Sequence, residues 1–364
     1  LLIAINYRAR SPMAKAHRLK LPDLGKGDRG RRAARAVGPA RPIAGTLRPC
    51  EHGRRSESWN GMEAAIERFA CTSCGKCCNR APEVQLSEAA ALADVFVFRL
   101  MFRLHWLPRE LRDHREPGAD PAVSGAAFYQ RKRLLGAFAA RKSPARIVRG
   151  GKAVDYLKYL TVSALALDTS PGRCSALDAE LCTIHARRPS ACRSVPFHYS
   201  RPEALAESDL KAFVETPSYR CDIGESADIV LEAGRIVDPG MAQARADALA
   251  LAGRDRRWSE KIVRRMHAAA PADAGLPSLN EVEANAASGA TTTSMRLAWQ
   301  IAADCGLIGG QDFSALLAAQ LATIDRALAA GRCTQDARET LAAMRAEYRR
   351  ALGDECPPPA ANGG

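Results

Sequence analysis

CTSCGKCC, residues 71–78, is the stretch on which the reading of this chain turns. It places Cys71, Cys74, Cys77 and Cys78 within eight residues. Two residues between cysteines let both thiolates turn onto one ion, because the intervening tight turn points their side chains the same way. Gly75 admits the positive φ that such turns need, and its amide is then free to donate to sulfur. A lone C-x-x-C says little, but two overlapping copies plus an adjacent cysteine point to metal. Cys77 and Cys78 are poor partners for a mutual disulfide, and ligation holds clustered thiols as thiolates and out of reach of oxidation.

A second group follows at CSALDAELCTIHARRPSACRSVPF (174–197), with Cys174, Cys182 and Cys192, and Cys221 completes eight. Eight thiolates suit two closed four-thiolate zinc sites. They also suit an iron–sulfur centre, since Cys71-x-x-Cys74-x-x-Cys77 matches the first three positions of the bacterial ferredoxin pattern. The fourth position of that pattern would fall on Ala81, so a further ligand must come from the distant group. The cysteine spacing of radical enzymes that use S-adenosylmethionine is absent. His185, three residues after Cys182, is a secondary ligand candidate, and His198 a weaker one. Arg188-Pro189 and Cys192-Arg193 put cations beside thiolates, where a guanidinium can donate to sulfur or to nearby carbonyls. Pro196-Phe197 is expected to pack against the site. Cys50, Cys305, Cys333 and Cys356 lie outside the constellation and are read as incidental.

CTSCGKCC, then C…C…RRPSACRSVPF and a later YRCDIG, resembles the YkgJ-like cysteine cluster family, described as chelating zinc or iron. The resemblance covers about residues 70–224. It implies a ligand set of Cys71, Cys74, Cys77, Cys78, Cys174, Cys182, Cys192 and Cys221. A flagellin lysine methylase carries a similar pattern, so the resemblance leaves room for an enzyme, such as a modifier of protein side chains. Two positions depart from the family: Ser175 stands where Pro usually follows the first cysteine of the second group, and Asp222 where Pro-Gly usually follows the last.

Outward from the cysteines, Leu86 to about Leu107 reads as a helix, apolar nearly all round and broken by Arg99 and Arg103. Residues 109–152 read as a surface excursion with one short helix near Phe128–Phe138. LKYLTVSALAL (157–167) reads as a strand, residues 203–214 as a short helix, and Ile229–Val237 as a hairpin turning at Ala233-Gly234. Asp238-Pro239 is a helix start, and all that follows reads as helix. Phe313, Leu317, Leu321, Ile324 and Leu328 form one stripe, and Leu341, Met344 and Tyr348 another, joined through Gly331 and Thr334 as an αα-hairpin. The expected fold is α+β, mostly α. A cysteine-cluster metal-binding domain (62–238) precedes an α-helical domain (239–352), with a tail at 353–364.

The formal charge of +13 suggests a polyanion partner until it is divided. Residues 1–61 hold 14 of the 53 Lys and Arg and 4 of the 40 Asp and Glu, which leaves only +3 on the rest. That basic segment has a disordered composition, and Met62 is expected to be the native start. The alternative is a basic arm for RNA or an anionic surface. Nucleic acid binding by the folded body is therefore disfavoured. No apolar stretch suits a signal peptide or a membrane span, so the expectation is a cytoplasmic protein whose partner is a metal ion. The C-terminal helices are candidates for a protein partner. No phosphate-cradling loop, nucleophile elbow or His-Glu-x-x-His motif is present.

Overall fold

The computed structural model describes residues 66–79, 81–114, 116, 119–149, 151–169, 172–268 and 275–353. The basic segment, Met62, Cys50, Cys356 and all of the expected tail but Gly353 lie outside the described residues. Within them helix accounts for 48% and strand for 21%, so the α+β expectation holds with helix predominant.

After β1 (Ile66–Arg68) and β2 (Glu83–Val84), the chain makes one short helix, α1 (Leu86–Ala91), and then an eleven-residue strand, β3 (Phe98–Pro108). The long helix expected over 86–107 is thus corrected. Arg99 and Arg103, four residues apart, share a face in a helix and equally in a strand, where the period is two. The Phe, Trp and Val content of the stretch suits a pleated sheet better than a helix. Phe98, Leu100 and Phe102 are fully buried on one face.

The excursion expected over 109–152 is likewise more ordered than its charge suggested. It contains α2 (Pro121–Phe138), capped by Asp120, whose carboxylate accepts from the Ala122 N–H at 2.7 Å. It also contains β4 (Arg141–Arg149), which forms a hairpin with β5 (Lys152–Ala166). The strand expected at 157–167 is the C-terminal part of β5. A two-stranded hairpin follows, β6 (Leu177–Asp178) and β7 (Leu181–Cys182). Then come α3 (Ser190–Arg193), α4 (Ala206–Val214), and the expected hairpin of β8 (Ile229–Glu232) and β9 (Arg235–Ile236). Its turn residues Ala233 and Gly234 both have positive φ, as a tight two-residue turn between twisted strands requires.

Asp238 starts α5 (Pro239–Ala268) as expected, accepting from the Met241 N–H at 2.7 Å. Beyond it the all-helix expectation needs one correction. Between α6 (Leu279–Ala284) and α7 (Arg296–Asp304) lies β10 (Thr291–Ser294), which pairs antiparallel with β3. The αα-hairpin is present as α8 (Gly310–Ala329) and α9 (Gln335–Leu352), with Thr334 capping α9 and Gly331 at φ 67°.

The main sheet is antiparallel, ordered β10-β3-β5-β2, with β4 also paired to β5. One face meets α5, α7, α8 and α9 in the largest core, around Trp258, Trp299, Leu317, Ile324, Leu341 and Tyr348. This core runs across position 238. Each large side chain so buried contributes about 1.5–3 kcal/mol. The other face carries Arg103, His105, Tyr159 and Ser163, with α2 packed over its Leu107–Tyr159 end through Phe128 and Leu135. Gln320 of α8 ties helices to sheet: its amide accepts from the Phe98 N–H (2.9 Å) and donates to the Ala93 and Phe96 carbonyls (2.7 and 2.6 Å). A smaller sheet, β1-β8-β9, packs Phe69, Val230 and Leu231 against Phe197, Leu210 and Phe213.

Candidate metal centre

The 71–78 loop leaves the small sheet at Ala70, which exchanges both backbone hydrogen bonds with Asp222 (2.8 and 3.0 Å). That bridge sets Cys71 beside Cys221, and the Thr72 hydroxyl adds a bond to the Arg220 carbonyl at 2.5 Å. The departure from Pro-Gly after the last cysteine has a consequence here. Asp222 supplies an N–H that proline lacks, and its carboxylate accepts from the Gly224 N–H at 2.9 Å.

The loop then turns sharply, with Ser73 at φ 55° and Gly75 at φ 68°. The Cys78 N–H closes the turn on the Gly75 carbonyl (3.1 Å). Gly75 is needed for space as well, since a Cβ there would stand 3.0 Å from the Glu180 carbonyl oxygen. Glu180 lies between β6 and β7, and the Lys76–Glu180 ion pair (3.0 Å) closes the same contact. The Cys174 N–H donates to the Cys78 carbonyl (2.9 Å), and β7 ends on Cys182. Cys192 sits on α3, whose first N–H, on Ser190, donates to Glu88 of α1 at 2.6 Å. These segments are thus held by backbone and side-chain hydrogen bonds together with the Lys76–Glu180 ion pair.

All ten described cysteines are free thiols. Cys77 and Cys78 share a hydrogen bond that pushes the Cys77 thiol strongly up and, aided by the Arg188 guanidinium against the effect of burial, brings Cys78 down to about 7. Cys77 also feels Cys71 and Cys221. Cys221 is raised to about 11 by burial and by Cys74 and Cys71. Burial would raise Cys74 too, but the N–H groups of Lys76 and Arg220 and the Thr72 hydroxyl outweigh it and lower the thiol. On the other side, burial and the charges of Cys78 and Cys182 raise Cys174 to about 11. Burial together with Cys174, Cys78 and Cys182 raises Cys192 to about 12. Cys77 and Cys78 thus act most strongly on each other, while Cys77 and Cys221 also respond to Cys71, and Cys174 and Cys192 to Cys78 and Cys182. Among the described residues no three His, Cys, Asp or Glu side chains close into a shell able to hold an ion.

The remaining candidates divide clearly. His185 is exposed. His198 turns inward, its Nδ1 2.8 Å from the Ser200 hydroxyl and its ring 4.4 Å from that of Tyr199. Arg188 lies near Cys78, whereas Arg193 pairs with Asp247 of α5 at 3.3 Å. Phe197 is buried in the core that Cys77 and Cys221 pack against, as expected. Cys305 is exposed at the end of α7, and Cys333 donates to the Ala327 carbonyl, both away from the cluster. Sequence reasoning missed Glu88 and Thr72, since nothing local marks a residue whose partner lies about a hundred or more positions away.

Residues 136–222 match the family model CxxCxxCC, "Putative zinc- or iron-chelating domain". The match takes in Cys174, Cys182, Cys192 and Cys221, and the Cys71–Cys78 run precedes it. No curated protein and no solved structure matches the chain. No helix among the described residues is long and apolar enough to cross a membrane.

Proposed function

We propose that the protein binds two metal ions, zinc or iron, through its eight clustered cysteines, in two sets of four. What supports this reading is the seat of the 71–78 loop between the other cysteines: the Ala70–Asp222 bridge sets its start beside Cys221, and the Cys174 N–H donates to the Cys78 carbonyl at its end. Thiolate-only donor sets suit zinc and iron among the biological metals. Such a set would suit these cysteines chemically, because a divalent cation would offset the like-charge and burial effects that raise Cys174, Cys192 and Cys221. A four-thiolate set leaves no open position, so each ion would brace the contact between the 71–78 loop and the second cysteine group. An iron–sulfur centre spanning both sets is the competing arrangement. Free thiols in this number accord with a reducing, cytoplasmic setting, where the helices after residue 238 would serve stability or a protein partner.

A metalloenzyme acting on protein side chains would need an acid–base pair beside the thiols. The carboxylate near Cys192, Glu88, is instead engaged by the N–H and hydroxyl of Ser190. The deciding experiment is metal analysis with the visible spectrum of anaerobically purified protein, repeated for Cys74→Ser and Cys182→Ser. Two separate sites predict that each variant loses one ion of two. Loss of all metal in both variants, with brown colour and labile sulfide in the parent, would point to one shared cluster. A folded protein with neither metal would end the proposal.

A further inference from the structure

Two arginines interrupt the apolar run of β3, and the fold treats them differently. Arg103 Nη2 lies 3.2 Å from Glu83 Oε2 of β2. Arg99, on the same strand face, donates one hydrogen bond, to the Thr292 carbonyl at 3.2 Å, and has no carboxylate partner among the described residues. A guanidinium has five donors in a planar fork, so with a single neutral acceptor Arg99 keeps donors free for a further partner.

Arg99 lines an open cleft of about 790 Å³ between β10 and α9. Thr292, Ser294 and Arg296 form one wall, Glu347 and Arg350 the other. Glu347 is the one carboxylate among the lining residues, and it is taken up by Arg296 at 2.8 Å. Two guanidiniums, Arg99 inside and the exposed Arg350 at the rim, therefore have no carboxylate partner among the described residues. The volume falls within the range of small-molecule sites, about 300–1,000 Å³, and exceeds what a bare inorganic anion fills.

We infer that this cleft binds a small anionic molecule, whose phosphate or carboxylate group is held by Arg99 with Arg350 at the rim. A planar fork facing a two-oxygen anion gives paired, charge-assisted hydrogen bonds. The Thr292 and Ser294 hydroxyls are available to the rest of such a ligand. Burial, which weakens the hold of Arg99 on its own proton, makes an incoming anion more valuable there than at the surface. No cysteine lines the cleft, so this inference stands apart from the metal sites.

The test is calorimetric titration of the full-length, metal-replete protein at low ionic strength, with inorganic phosphate and with citrate as probes. Saturable binding at one site is expected for at least one of them, and the tighter probe identifies the anionic group. Arg99→Gln should weaken it by about tenfold or more, and Arg350→Gln by about threefold. Arg235→Gln, on the distant β8–β9 hairpin, should leave it unchanged. Because Arg350 is exposed, its variant reads the site even if Arg99→Gln folds poorly. Absence of saturable binding by both anions, or unaltered binding in Arg350→Gln and a folded Arg99→Gln, would overturn the inference.

Discussion

Gly75→Ala is the substitution that most sharply tests how the cysteine loop is seated. Gly75 has φ 68°, and a Cβ would meet the Glu180 carbonyl oxygen at 3.0 Å and the Glu180 Cα at 3.3 Å. Left-handed backbone costs an alanine about 1–2 kcal/mol. The contact is with backbone, which cannot rotate away, and forced overpacking of this kind costs about 1–3 kcal/mol. Reduced freedom of the unfolded chain returns about 0.4–1 kcal/mol. The net expectation is a loss of about 2–3 kcal/mol. Gly234→Ala supplies the control, because Gly234 has nearly the same φ, 73°, with nothing within 4 Å of a Cβ. It should cost only about 0.5–1 kcal/mol. Urea denaturation of both variants at one fixed metal concentration measures the difference, any change in metal affinity included. Metal should also leave Gly75→Ala faster, because the strained contact carries the β6–β7 hairpin and Cys182. Equal losses in the two variants would refute the packing of the loop on Glu180.

Three further outcomes follow from the same structure. Gln320→Ala leaves the Phe98 N–H and the Phe96 carbonyl without their partner in a fully buried setting, the Ala93 carbonyl keeping the Thr323 hydroxyl, and should cost about 2–3 kcal/mol by denaturation, while Gln320→Glu restores an acceptor but no donor. His105 is pushed down to about 3 by desolvation and by the Arg103 and Arg131 charges. The unfolded chain takes up this proton below about pH 6.5 and the folded one does not, so stability should fall by a few kcal/mol as pH drops from 6.5 toward 3. His105→Gln should flatten that slope, and an unchanged slope would refute the assignment. Asp222→Pro removes the N–H donated to Ala70, whereas Asp222→Ala keeps it. The proline variant should therefore lose about 1 kcal/mol more and bind metal less tightly at the Cys71 and Cys221 side.

Much of the chain was legible locally because the signals concerned were themselves local. β5 declares itself through β-branched and aromatic residues. The Ala233-Gly234 turn, the Asp238 cap and the Gly331–Thr334 connection each depend on a few adjacent residues. The stretch 86–107 misled because a four-residue spacing of arginines satisfies both periods, and only pairing with β5, some sixty residues on, selects the strand. β4 hid behind its charge: RKSPARIVR shows little apolar alternation, and its strand form is held by hydrogen bonds to β5. β10, a run of Thr and Ser, is short enough to pass as a loop until β3 pairs with it.

The residues alone pointed to eight cysteines of twelve and to zinc or iron on sulfur, because donor type and turn spacing are properties of a few neighbouring side chains. How the 71–78 loop meets the second cysteine group was decided by contacts that no local pattern encodes: the Ala70–Asp222 bridge, the Cys174 N–H on the Cys78 carbonyl and the seat of Gly75 on Glu180. The same holds for the two arginines of β3, alike in sequence, where a carboxylate from β2 met one and a cleft opened beside the other. Long-range partners fix charge compensation, and they exist only once the chain has folded.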